Sequence, residues 1–303
     1  MRKQAIVFHF MRNSRITKNL QTFLLIASAT LIVPLFSFCN FESKVYGHDF
    51  APNESASFLS FANQLQTESE LVQSNLANGN LTLAKEHATR AIELLNSKDP
   101  VNNAAWRNEI VERNQRVANE LVVAVSNLEN VTRSPSSLSE QQQSIDQAIG
   151  EIDGIIEEAI TTRIDRDQRV NATIQATALG DIINTLLGYY SNAYEVGFDM
   201  GNMSEMASMM GNGSNTNYTL VNVADYQSAQ ALAAKAQEIF NNELRPLANG
   251  NATNSIAKFE NSLIQLSNLI DKKSSPMELV MVGHSQVQPS LQFAFNLRLQ
   301  MKM

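Results

Sequence analysis

"LANGNLTLAKEHATRAIELLNSKDP", Leu76 to Pro100, is the stretch on which the fold class turns. Gly79, between two asparagines, suits the left-handed residue that ends a helix. Leu83, His87, Ile92 and Leu95 then recur in approximate helical register, and Pro100 closes the run. The residues just before it, "NESASFLSFANQLQTESELVQSNLAN", open on Asn53 as a candidate N-cap and repeat Phe58, Phe61, Leu65 and Val72. Read together, the two stretches form an antiparallel helical hairpin.

The hairpin has an echo. "LANGNATNSIAKFENSLIQLSNLIDKKSSP", Leu247 to Pro276, repeats the "LANGN" turn after a helical stretch and again ends on Lys, a few polar residues and Pro. A five-residue identity in register with helix boundaries points to a duplicated hairpin, one copy near each end. Between and beyond the copies, helices are expected over 103–131, 138–164, 166–196, 223–247, 253–272 and 277–288, with "TRSPSSLSE" (Thr132–Glu140) as a linker. Strand-length β-branched alternation is hard to find. The fold expected is all-α, a bundle of about seven helices rather than a solenoid, because the repeat is not tandem.

The first segment has a different character. Arg2, Lys3, Arg12, Arg15 and Lys18 precede the apolar run "FLLIASATLIVPLFSF", Phe23 to Phe38. A basic start and an apolar run of this length describe an export signal, or an uncleaved membrane tether through residues 20–41. Val45 and Gly47 are small enough for cleavage before His48. Residues 1–47 are therefore expected to be signal or anchor, and residues 48–303 an exported helical domain with a Met-rich loop at 198–220. That domain lies outside the cell or on the outer face of its membrane.

Charge narrows the partners. Six Lys/Arg against one Glu give residues 1–47 a charge of +5, and the whole chain is −7, so the remainder is −12 (−7 minus +5). An acidic domain repels phosphate backbones, which makes nucleic acid a poor partner. The single cysteine, Cys39, precedes the exported part, which must be stabilised by its core rather than by disulfides. Asn-x-Ser/Thr occurs at Asn53, Asn80, Asn130, Asn171, Asn202, Asn212, Asn217 and Asn251, and never before residue 48. N-linked glycans on an exported surface are expected.

Two resemblances add to this reading. "VQSNLANGNLTLAKEHATRAIELL" (Val72–Leu95) is similar to the first hairpin of imelysin-like periplasmic iron-uptake proteins, in which a short Gly turn precedes an Ala-Lys-rich helix. The histidine–glutamate metal motif of that family is missing, because no acid follows His87 or His284 by three or four residues. "HDFAPNESASFL", "TTRIDRDQ" and "ADYQSAQALAAKAQEIFN" resemble uncharacterised secreted helical proteins of ammonia-oxidising archaea. That likeness implies export, glycosylation and a copper-rich physiology, and no reaction.

Candidate chemistry centres on sulfur. In "FDMGNMSEMASMMGNG", Met200, Met203, Met206 and Met209 fall at steps of three, with Met210 appended. Thioethers are soft, uncharged ligands that favour Cu(I) and survive where free thiols oxidise. The competing reading is packing against a helix or a partner, since methionine fills irregular gaps. After cleavage His48 offers an imidazole and an α-amine, a bidentate Cu(II) chelate. In "PMELVMVGHSQVQP", Met277, Met281 and His284 at i, i+4 and i+7 fall on one face of an α-helix, either a second copper site or a buried face. His87 is read as structural, and Glu151, Asp153, Glu157 and Glu158 as partners in surface ion pairs. Glu-x-x-His, a zinc cysteine pair, a phosphate-cradling glycine loop and a Gly-x-Ser-x-Gly elbow are all missing, and no catalytic residue is assigned. The function expected is copper storage, scavenging or delivery. The alternative is a structural or interaction glycoprotein whose Met-rich loop docks an envelope or membrane protein partner.

Overall fold

A computed structural model describes residues 53–196, 218–248 and 253–297. The expected signal or anchor, His48 and the Met200–Met210 cluster lie outside the described residues. Among the described residues the chain is all-helical, and the one β-bridge joins Lys98 to Ala105. No described helix is long and apolar enough to cross a membrane.

The leading hairpin forms as its sequence predicts. Helix α1 (Glu54–Ala77) is capped by Asn53, whose side chain accepts from the Ala56 N–H. It ends at Gly79, in the left-handed region at φ +74°, and α2 (Leu81–Asn96) starts under the cap of Asn80. Phe58, Phe61, Leu65 and Val72 are all buried. The inner face of α2 is Ala84, His87, Ala88, Ala91 and Leu95, and its small side chains let the two helix backbones approach closely.

The expected helix over 103–131 is instead two helices, α3 (Trp106–Arg113) and α4 (Gln115–Arg133). Asn114 divides them. Its backbone is extended, and its side chain accepts from the N–H groups of Arg116 and Val117, so it caps α4 rather than continuing α3. Helix α5 (Leu138–Arg163) opens on a capping box between Ser137 and Glu140. A short turn, α6 (Arg166–Arg169), precedes α7 (Ala172–Ala193), capped by Asn171.

Helix α8 (Val223–Ile239) runs into a π-helical turn over Phe240–Leu244, and α9 (Thr253–Asp271) follows. Helix α10 (Pro276–Val282) leads through a second π-helical turn, Gly283–Val287, into α11 (Gln288–Phe295). Each wide turn stands just before a proline, Pro246 or Pro289. A proline cannot donate to the carbonyl four residues back and its ring crowds that carbonyl, so the helix widens to accommodate it. At the second turn Gly283 rests on α7, where a Cβ would come within 2.7 Å of Leu187 Cδ1.

Helix α1 contacts α2, α5, α7 and α8, and α7 lies against α1, α8, α10 and α11. Two apolar clusters result. The first, drawn mainly from α1–α5, has Phe58, Phe61 and Trp106 as its aromatic centre. The second, from α7–α11, holds Tyr190, Tyr226, Phe240 and Phe259.

Candidate functional site

Two arrangements deserve a functional reading: an open groove lined by thioethers, and a buried polar seam. The groove, of about 340 Å³, runs along α10 and is lined by Ser275, Met277, Glu278, Met281, Val282 and Ser285, with Gln286. Ser275 caps α10, and Leu279, Val280 and Val282 turn inward, which leaves Met277 half-buried and Met281 exposed on the solvent side. The two methionines are thus one helical turn apart in the lining of one groove.

His284 is not among the residues that line this groove. The π-helical turn begins at Gly283 and rotates the chain, so the groove is continued by Ser285. His284 Nδ1 donates to Gln288 Oε1 at 2.7 Å, and Gln288 Nε2 donates to Asn184 Oδ1 on α7 at 2.5 Å. The spacing i, i+4, i+7 assumes an unbroken α-helix, and Pro289 removes that condition.

The seam lies where α1, α2, α7 and α8 meet. His87 on α2 is fully buried, with Nδ1 2.8 Å from Glu68 Oε2 of α1 and Nε2 2.9 Å from Gln227 Oε1 of α8. Asn75 Nδ2 donates to the Leu71 carbonyl, which can only accept, and this fixes which way its amide faces. Asn75 and Gln227 then exchange two hydrogen bonds, presenting the Gln227 oxygen to His87. Ser228 donates to Glu68 Oε1 at 2.6 Å while accepting from Arg90 Nη1. Arg90 also pairs with Asp225 at 2.8 Å and lies over the Tyr189 ring. Burial raises the Asp225 pKa, and the Arg90 charge and hydrogen bond oppose that rise. Tyr189 is also pushed up, first by burial and then by Glu68. Every member has a partner, so the seam binds the helices to one another.

The acids read as surface ion-pair partners have a more distant set of companions than their neighbouring arginines. Glu158 pairs with Arg116 of α4, and Asp153 accepts from Gln66 of α1. Arg163 turns inward to a buried Glu109 on α3. Among the described residues, no three His, Cys, Asp or Glu side chains converge in a way that would hold a metal ion.

The fold and site together define an all-helical bundle with a sealed polar seam and a thioether-rimmed groove. The chain matches no family model, no curated protein and no solved structure.

Proposed function

We propose that this is an extracytoplasmic copper-binding helical protein, serving storage, scavenging or delivery, in which Met277 and Met281 form a soft-metal contact. The observation that supports it is their placement: two methionines one turn apart in the lining of an open groove while Leu279 and Val280 of the same helix are fully buried. A methionine stripe that served only packing belongs on the inner face. Neutral sulfur donors hold a monovalent soft ion without the charge that a hard divalent ion requires.

Neighbouring contacts strengthen the reading. Tyr190 of α7 donates to the Ser274 carbonyl at 2.6 Å, two residues before α10, and the N–H groups of Val221 and Asn222 both reach the Ala193 carbonyl. The residues that flank the 197–217 stretch are therefore anchored at the end of the bundle where α10 starts. Met200, Met203, Met206, Met209 and Met210 are proposed as further donors on the strength of the sequence alone, as is His48 if the signal is cleaved before it.

The test is Cu(I) titration of the purified chain against a Cu(I) chelator under reducing conditions. Stoichiometric uptake that weakens when Met277 and Met281 are both changed to leucine supports the groove. Weakening only when the five clustered methionines are changed moves the site there, and no uptake at all ends the copper reading. The second reading, an envelope interaction protein, is favoured by Phe293, which is 74% exposed and lines a groove of about 390 Å³ with Lys258, Asn261 and Gln265. Cross-linking from position 293 on intact cells should then capture one envelope protein, and a Phe293→Asp variant should not.

A further inference from the structure

The turn between α2 and α3 gathers charges that the groove does not use. Asp99 and Glu109 are 0% and 4% exposed. Asp99 Oδ1 accepts the Ser57 hydroxyl at 2.9 Å and the Val101 N–H at 2.8 Å. Arg163 of α5 pairs with Glu109 and lies 5.0 Å over the Phe58 ring. Asp99 Oδ2 and Glu109 Oε1 are sealed from water without a donor. Two carboxylates and one guanidinium leave a negative charge uncompensated in a dry site, which costs far more than it does in water. Asp99 lies beside Glu109, and one hydrogen shared by the two carboxyls removes that charge.

We infer that Asp99 and Glu109 share a proton, and that its release unlocks α3 from the aromatic centre of the first cluster. Glu109 stands one turn beyond Trp106 on the same buried face of α3. Trp106 stacks on Phe61 at 4.7 Å and meets Phe58 edge-on at 6.1 Å. The helix is only eight residues long and its N-cap, Ala105, makes no side-chain hydrogen bond, so Trp106, Ile110 and the Glu109 contacts hold it down. Ionisation of both carboxyls puts a second negative charge beside a single cation. Movement of the turn and α3 toward water relieves it.

The groups that face Glu109 are Asp99 and Asn102 from the turn and Arg163 from α5; from α1, Ser57 donates to Asp99 and Phe58 lies under Arg163, and neither titrates. Burial is the largest influence and raises the Glu109 pKa to about 7, against the lowering effect of Arg163. The folded chain therefore keeps a proton that the unfolded chain has already lost. The lock holds on the acid side and is released as pH rises through about 7.

Trp106 is the sole tryptophan, so its emission reports α3 directly. Between about pH 5 and about pH 9, the full chain should show a red shift and greater quenching by acrylamide, with a midpoint near 7 and unchanged far-UV circular dichroism. Glu109→Gln should keep the acid-form emission throughout. Asp99→Asn, which leaves Glu109 beside a neutral partner, should move the midpoint to lower pH. Emission that ignores pH in the unaltered chain overturns the inference. So does a Glu109→Gln protein that titrates as before, or, if that variant fails to fold, an Asp99→Asn midpoint that stays in place.

Discussion

At the scale of single residues, the firmest expectation concerns His87. Its removal leaves Glu68 buried with the Ser228 hydroxyl as its one remaining side-chain partner. Removing one partner of a buried hydrogen-bonded group typically costs about 1–3 kcal/mol, and more where a charge is involved. His87→Ala should therefore lower the free energy of unfolding by about that much in urea melts, with a cavity contribution included. Glu68→Gln combined with His87→Leu should recover much of the loss, because no unpaired charge remains. If the double variant is as unstable as the single one, lost packing rather than charge accounts for the effect. The sequence held a usable signal for this pair. Glu68 falls between Leu65 and Val72 on the buried stripe of α1, and His87 between Ala84 and Ala91 on that of α2. An acid and a histidine on two facing apolar stripes belong together, but one helical turn past the histidine does not reach a partner on the other arm of a hairpin. The reading of His87 as structural agrees with its place in the seam, although its partners were legible only through the hairpin.

At the scale of elements, asparagine explains both what was readable and what was not. Asn53, Asn80, Asn114, Asn171 and Asn222 each cap a helix through the side-chain oxygen. Three of these, Asn53, Asn80 and Asn171, also begin Asn-x-Ser/Thr triplets, because a cap followed by a hydroxyl residue writes the same letters as a glycan acceptor. Helix existence was legible from periodicity. The break at Asn114 was not, since the apolar period on either side carries through it and only the backbone shows the cap. Asn114→Ala distinguishes the two pictures. In an unbroken helix the change replaces a poor helix former with the best one and should stabilise. At an N-cap it removes two acceptor contacts and should cost about 1 kcal/mol. A lowered melting midpoint is expected. The same limit applies at Pro289: a proline in a helical run announces a disturbance, but not that the helix survives it by widening.

At the scale of the whole molecule, two independent forces act in the same direction with pH, and salt separates them. The chain carries −7 at neutral pH, and like charges at that density press against the compact state. Glu109 and Asp225 are also held with raised pKa values, burial being the first cause in each and the neighbouring arginine the opposing one. A carboxyl raised by folding binds more protons folded than unfolded, so stability falls as pH climbs from the ordinary carboxylate range through the raised value. Charge repulsion likewise eases as pH falls. The protein should therefore melt higher at mildly acidic than at mildly alkaline pH, by roughly 3–8 °C if the buried acids contribute on the order of 1–3 kcal/mol. Salt screens exposed charges beyond about 8 Å at physiological strength, but barely touches a sealed carboxyl pair. In high salt the part due to net charge should vanish and the part due to Glu109 and Asp225 should remain, with Glu109→Gln reducing what remains. A pH profile that flattens completely in salt would mean that repulsion alone governs it, and that the buried acids ionise in the folded chain as easily as in the unfolded one.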